Sequence, residues 1–408
     1  MSRFDRHFRM NEEDAIRYAK EKLSIFSGDA VLECREIGDG NINYIFRVWE
    51  PATGKSVILK HADVTLRSNP NSRLTTDRSK IEAEALRIQW DLAPDTVPEV
   101  YCYDAVMCCL SMEDLSDHDN MRYALVEHRT FPMFAEHITD FLVNTLLKTS
   151  DIVMEPLARR ELSTRFVNPL CRITEDLVYT DPYTNKTGWN VVFPPIRDFV
   201  QEVLYDDVSL RLEAAKLKNR FLSHNQALIH GDLHTGSILV KEDSTKVIDP
   251  EFAFFGPMGF DLGNVVGNLF FAWANGFVTI EDPVRQDSFL GWVEKTVVDV
   301  VDLFVEKFRK AFHENVRDVM FRTDGFLDWY LNGVLRDTAG VAGLEMHRRT
   351  VGDAKVRDLI SIQDEAKRAL AERIVILSGK AFIMNRDSYL VGEDYVRTVK
   401  EIAGQCCP

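Results

Sequence analysis

The sequence predicts an α+β chain of two lobes, a small mixed lobe followed by a larger, mainly helical one. Three observations predict it. At 408 residues the chain is longer than one domain usually holds. Short β-like runs punctuated by Gly and Pro crowd residues 30–112. From about residue 118 onward, helical periodicity dominates.

Taken in order, residues 11–27 read as a helix. Asn11 can cap it with Asp14 three residues on, and Ala15, Ile16, Tyr18, Ala19, Leu23 and Phe26 fall on one face. Val31 to Ile37, Tyr44 to Glu50 and Ser56 to His61 read as strands, and Thr76 to Leu92 as a helix. Tyr101 to Asp104 and Cys109 to Met112 complete the strands of a small α+β lobe. Long helical segments follow near 119–148, 158–179, 197–223, 283–313, 325–345 and 354–380. One β-like interruption, Ala227 to Pro250, contains the short strands Ile238 to Val240 and Lys246 to Ile248. The expected division is an N-terminal lobe over 1–112, a connection over 113–118 and a C-terminal lobe over 119–408.

Charge and composition exclude several functions. A net charge of −15, with no basic cluster, argues against a nucleic-acid partner. The apolar share of 45% suffices for a sizeable core. The first residues lack the apolar core of a signal peptide. The longest apolar stretch, Val265 to Val278, is interrupted by Gly267, Asn268, Asn275 and Gly276 and is too short and polar to span a bilayer, so no membrane partner is expected. Seven cysteines without CxxC spacing read as reduced thiols, which places the chain in the cytoplasm.

The chemistry concentrates in Leu228-Ile-His-Gly-Asp-Leu-His-Thr-Gly-Ser-Ile-Leu-Val240 and in Val247-Ile-Asp-Pro-Glu-Phe252. Phosphoryl transfer needs one carboxylate beside the attacking hydroxyl and others that hold a cation on the nucleotide phosphates. Asp232 suits the first role. Asp249 and Glu251 suit the second, since magnesium prefers hard oxygen ligands. If 247–251 is extended, Asp249 and Glu251 share a face by the two-residue alternation of a strand. Upstream, Ile37-Gly-Asp-Gly-Asn-Ile-Asn-Tyr44 is a glycine-containing turn, where Gly38 and Gly40 let backbone N–H groups approach a phosphate. An apolar strand, Val57-Ile-Leu-Lys60, ends in a single lysine.

HGDLHTGS resembles the catalytic loop of the aminoglycoside phosphotransferase and choline kinase group, which shares the bilobal protein-kinase-like fold. HGDLHTGS followed by DPEFAF and GPMGFDLG is similar to the methylthioribose kinases in particular. The resemblance implies a nucleotide-binding N-terminal lobe, an interlobe hinge and a catalytic, substrate-binding C-terminal lobe. Asn43 and Lys60 then become nucleotide contacts, as do the hinge backbone at Glu113 and Leu115. Of Glu82 and Glu84, which cannot share a helical face, Glu82 is the implied partner of Lys60. Ser237 stands where the wider group carries a metal-binding Asn, which makes it a candidate metal ligand. Asp261 is implied to brace the catalytic loop, and His230 and His234 to pack and hydrogen-bond there. The pair Arg348 and Arg349 matches a paired-arginine feature that reaches the sugar.

The implied reaction is ATP- and Mg2+-dependent phosphorylation of the 1-hydroxyl of 5-methylthioribose in methionine salvage, by a homodimer. Kinases of other small alcohols or amines (aminoglycoside, choline, fructosamine) are the alternative, with an inactive nucleotide-binding scaffold ranked lower. Protein phosphorylation also ranks low, because HRD, DFG and APE motifs are missing.

Overall fold

The computed structural model describes residues 2–37, 43–64 and 75–407. The chain divides into two compact units, Met1–Asp117 with Ile248–Phe252, and His118–Val247 with Ala253–Pro408. The first is mixed and the second mainly helical, the α+β class expected from the sequence.

In the first unit, Asn11 caps the Glu12–Lys22 helix. Its Oδ1 accepts from Asp14 N at 2.9 Å, while Asp14 Oδ2 accepts from Asn11 N at 3.3 Å. This reciprocal pair satisfies two of the helix's orphan donors. The buried face, Ala15, Tyr18 and Ala19, packs with Phe46, Val48, Val57 and Leu59 in one apolar cluster. The sheet comprises β1 Glu33–Ile37, β2 Tyr44–Trp49, β3 Ser56–His61, β4 Val100–Asp104 and β5 Cys109–Met112. Its order is β1-β2-β3-β5-β4, with every pairing antiparallel. Lys60 sits on a central strand, between Ile45 of β2 and Leu110 of β5. Because Val57 and Leu59 join the cluster under the first helix, strand alternation sends Ile58 and Lys60 to the other face. The Asp77–Leu92 helix supplies Lys60's partner there.

The second unit is built round the Gly259–Thr279 helix, buried along almost its whole length. It packs against the Pro283–Asn315, Phe326–Val351 and Glu365–Met384 helices. Sequence periodicity did not single it out: its polar residues, Asp261, Asn264, Asn268 and Asn275, fall on one face but are buried with the rest, so no solvated charged stripe marks the helix. Glycine allows the closest approaches. A Cβ on Gly263 would stand 2.6 Å from Thr338 O, and one on Gly343 would stand 2.3 Å from Gly379 O. The C-terminal Gly392–Cys406 helix was also unforeseen.

Several expected helices are shorter. The 119–148 segment opens with β6, Asp119–Asn120, and the Met121–Val126 helix. It breaks before Pro132, with His128 at φ +60°, and resumes as Phe134–Lys148. The 197–223 segment breaks where the Asp207 carboxylate accepts from Leu210 N and caps Val208–Ser223. The small strands are β7 Ala227–Ile229, β8 Ile238–Lys241, β9 Ser244–Val247 and β10 Phe254–Gly256. They form the pair β10-β7 and the sheet β6-β8-β9. Among the described residues no helix is long and apolar enough to cross a membrane, and all seven cysteines are free thiols.

Candidate active site

The first unit holds a buried cluster of charge. Lys60 Nζ donates to Glu82 Oε1 at 2.8 Å and to Asp249 Oδ1. Glu84 lies instead near the exposed Lys80, at 4.0 Å. Asn43 Nδ2 donates to Glu251 Oε2 at 3.4 Å. Arg78, fully buried, donates to Asn43 Oδ1 at 2.9 and 3.2 Å and to Asp63 O at 3.0 Å, and its Nε lies 3.8 Å from Glu251 Oε2. Arg78 was not foreseen; its partners lie in other elements, and no spacing within its own helix points to them.

One oxygen from each of Glu82, Asp249 and Glu251 lies within 4.8 Å of the others. Burial pushes the Glu251 carboxyl up to about 8, with Asp249 adding to the shift and Lys60 opposing it. Burial likewise pushes Glu82 up to about 7, against the charge of Lys60. Burial alone would lower the Lys60 ammonium, but Asp249, Glu82 and Glu251 outweigh it and keep the group charged. Three hard oxygen donors, with Glu82 Oε2 buried and without a partner, suit a small divalent cation.

The expected extended strand over 247–251 is not formed. β9 ends at Val247 and Asp249 adopts φ +69°. The two carboxylates therefore converge through a left-handed turn rather than strand alternation, a conformation that Asp tolerates better than most side chains.

The second unit holds Asp232, in the loop between β7 and the 3-10 turn Thr235–Ser237. Asp261, in the first turn of the Gly259–Thr279 helix, accepts from His230 N at 2.7 Å and Gly231 N at 3.0 Å. Gly231 has φ +84°, a conformation glycine adopts without strain. Two arginines reach Asp232 Oδ1, Arg348 Nη2 at 2.5 Å and Arg349 Nη2 at 3.4 Å. Both are held by Glu345, through Arg348 Nε to Oε2 and Arg349 Nε to Oε1 at 3.0 Å. Asn268 Nδ2 donates to the same Oε1 at 3.0 Å. Glu345 was not foreseen as a site residue, though its place three and four residues before the arginines is a helical pairing signal.

Ser237 N donates to His234 Nδ1 at 3.1 Å and its hydroxyl lies 3.3 Å from the same atom. With Nδ1 accepting, the ring proton sits on Nε2, 3.4 Å from Asp232 Oδ2. Burial pushes His234 down to about 4, so the donor is a neutral imidazole. Burial alone would raise the Asp232 carboxyl; His234, Arg348 and Arg349 more than offset that and hold it well below the usual carboxylate range.

The remaining expected residues are placed as follows. Glu113 N donates to Glu99 O at 2.9 Å, and Leu115 is buried. Gly38 and Gly40 lie outside the described residues.

A family model described as the phosphotransferase enzyme family matches residues 33–284. The methylthioribose kinase of Geobacillus sp. (strain WCH70) is 40% identical over 384 residues, 93% of this chain and 92% of that one. The methylthioribose kinase of Bacillus pumilus (strain SAFR-032) is 36% identical over 401 residues, 96% of this chain and 98% of that one. Among solved structures, choline kinase from Cryptosporidium parvum Iowa II has a TM-score of 0.47 at 12% identity, over 98% of each chain. The chain belongs to the methylthioribose kinase family, within the phosphotransferase enzyme family.

Proposed function

We propose that the protein transfers the γ-phosphoryl group of ATP to the 1-hydroxyl of 5-methylthioribose, yielding 5-methylthioribose 1-phosphate and ADP. The observation that carries this reading is the 36–40% identity to methylthioribose kinases over more than nine-tenths of both chains. The geometry inside each unit supports it.

Asp232 orients the sugar hydroxyl and accepts its proton late in transfer. Its strongly lowered pKa makes it a weak base. That suits a loose transition state, in which positioning and charge matter more than early deprotonation. Arg348 and Arg349 fix the carboxylate and offer positive charge on the acceptor side. Asp249 and Glu251 would hold Mg2+, while the neighbouring Glu82 carboxylate, 2.8 Å from Lys60 Nζ, fixes the lysine that would contact the nucleotide phosphates. When bound, the cation neutralises charge on the phosphate oxygens. Asn43, held by Arg78 and Glu251, is a nucleotide contact. Ser237 is held by His234, which gives it a part in placing Asp232. Free thiols throughout fit a reducing, cytoplasmic setting.

A coupled ADP-release assay with 5-methylthioribose against plain ribose, choline and an aminoglycoside tests the reading. The expected result is a clear preference in kcat/KM for 5-methylthioribose. No turnover of it, or a better rate on another acceptor, refutes the assignment.

A further inference from the structure

Arg122 belongs to the surroundings of Asp232, yet none of the chemistry above uses it. It lies in the Met121–Val126 helix, capped by Asn120, whose Oδ1 accepts from Arg122 N at 3.1 Å. Asn120 Nδ2 also donates to Gly236 O at 2.8 Å, which ties this helix to the loop that carries Asp232. The Arg122 guanidinium fills the space beside Gly236. A Cβ on that glycine would stand 2.9 Å from Arg122 Cζ and Nη1, and equally close to His234 Cε1. The charged groups within reach of Arg122 are Arg349, Asp358, Glu345 and Asp232.

Within this crowded setting Arg122 Nε and Nη2 are buried and donate to nothing. Asp358 shows the matching defect. It lies in the Arg357–Ile360 helix, which packs on the Met121–Val126 helix, and its Oδ1 is buried and accepts nothing. Unpaired buried donors and acceptors are costly and rare, and charged ones most of all. Here the two defects are complementary, cationic donors and an anionic acceptor on packed helices. A hydroxyl group answers both, since it accepts one hydrogen bond and donates another.

We propose that Arg122 and Asp358 form a hydroxyl-binding arm of the acceptor site, taking a secondary hydroxyl of the sugar other than the one presented to Asp232. The inference rests on the reading that a sugar is the acceptor. It makes Arg122 and Asp358 specificity-determining residues, because a site built to pair with a hydroxyl rejects an analogue that lacks it.

The test compares kcat/KM for 5-methylthioribose with its 2-deoxy and 3-deoxy analogues. For the wild type, one analogue should lose roughly 10³-fold or more. Arg122→Met and Asp358→Asn should each lose much of that factor on the full sugar while sparing the penalised analogue, so that the discrimination collapses. Equal losses on both substrates would assign the pair to packing or to a structural water and overturn the proposal. Should a variant fail to fold, the wild type alone still decides. Acceptance of both deoxy analogues within about tenfold of the parent removes any hydroxyl-pairing arm. Failure of the activity reading looks different. The wild type would then prefer another sugar, and the deoxy series of that sugar applies the same criterion to Arg122 and Asp358.

Discussion

Glu345→Gln removes a buried charge at nearly constant size, and the structure sets the magnitude of its effect. The Glu345 carboxylate holds Arg348, Arg349 and Asn268 and is 1% exposed. Burial would raise its pKa, but the two arginines win and push it from 4.5 down to about 2. At about 1.36 kcal/mol per pH unit this corresponds to roughly 3 kcal/mol of stabilisation at neutral pH. Breaking a buried ion pair from one side costs about 3–5 kcal/mol, which agrees. The folded pKa lies below the unfolded one. The contribution is therefore complete above 4.5 and is lost as pH falls through 2. Urea unfolding followed by tryptophan fluorescence measures it, since Trp189, Trp273, Trp292 and Trp329 all report on the second unit. The gap between wild type and variant should be about 3 kcal/mol at pH 7 and about half that at pH 3. A gap that does not change with pH, or a variant as stable as wild type at pH 7, refutes the electrostatic account of Glu345.

Asp232→Asn should lower kcat by about 10²–10⁴-fold and leave ATP affinity unchanged, read by coupled turnover and calorimetry. Lys60→Met leaves the buried Glu82 without its 2.8 Å partner; ATP affinity and thermal midpoint should both fall, and an unchanged midpoint would mean the pair carries no stability. Gly343→Ala forces a Cβ to within 2.3 Å of Gly379 O, so it should cost at least about 1–3 kcal/mol by denaturation. Adding Mg2+ to metal-stripped protein near pH 7 should release protons into unbuffered solution, because Glu251, raised by burial to about 8, must ionise to serve as a ligand.

Local chemistry made much of the fold legible in advance. The expected strands Ser56 to His61 and Cys109 to Met112 coincide with β3 and β5, because apolar β-rich runs bounded by turn residues carry their own limits. The Asn11 cap was equally readable, since the pairing lies within four residues. What failed needed tertiary information. The Gly259–Thr279 helix is buried on every side and its one polar face carries uncharged Asn rather than solvated charge beyond Asp261, so its pattern resembles a buried run of any kind. Asp249 and Glu251 stood out as acids, but the left-handed turn at Asp249 that draws their oxygens together is not written in the alternation of the sequence. Arg78 and Arg122 look like ordinary helical surface charges until burial is known; Arg78 is fully buried and Arg122 has two buried, unpaired nitrogens.

The direction of each pKa displacement separates the acids more sharply than their spacing does. In the first unit Glu82 and Glu251 are driven up, since among the described residues three carboxylates face Lys60 and Arg78 and burial decides the balance. Such a group is short of positive charge and gains most from a cation that arrives with a ligand. In the second unit Asp232 and Glu345 are driven down, since Arg348 and Arg349 are already in place and overcome the same burial. Those acids stay ionised whether or not any metal is present, as the acceptor-orienting role proposed for Asp232 would require before its substrate binds. One residue type thus serves two tasks through opposite environments. The proposed division of labour also accounts for the arginines standing beside Asp232. Placed beside Asp249 and Glu251, they would supply the positive charge that otherwise favours the cation, and the carboxylates would lose their reason to hold it.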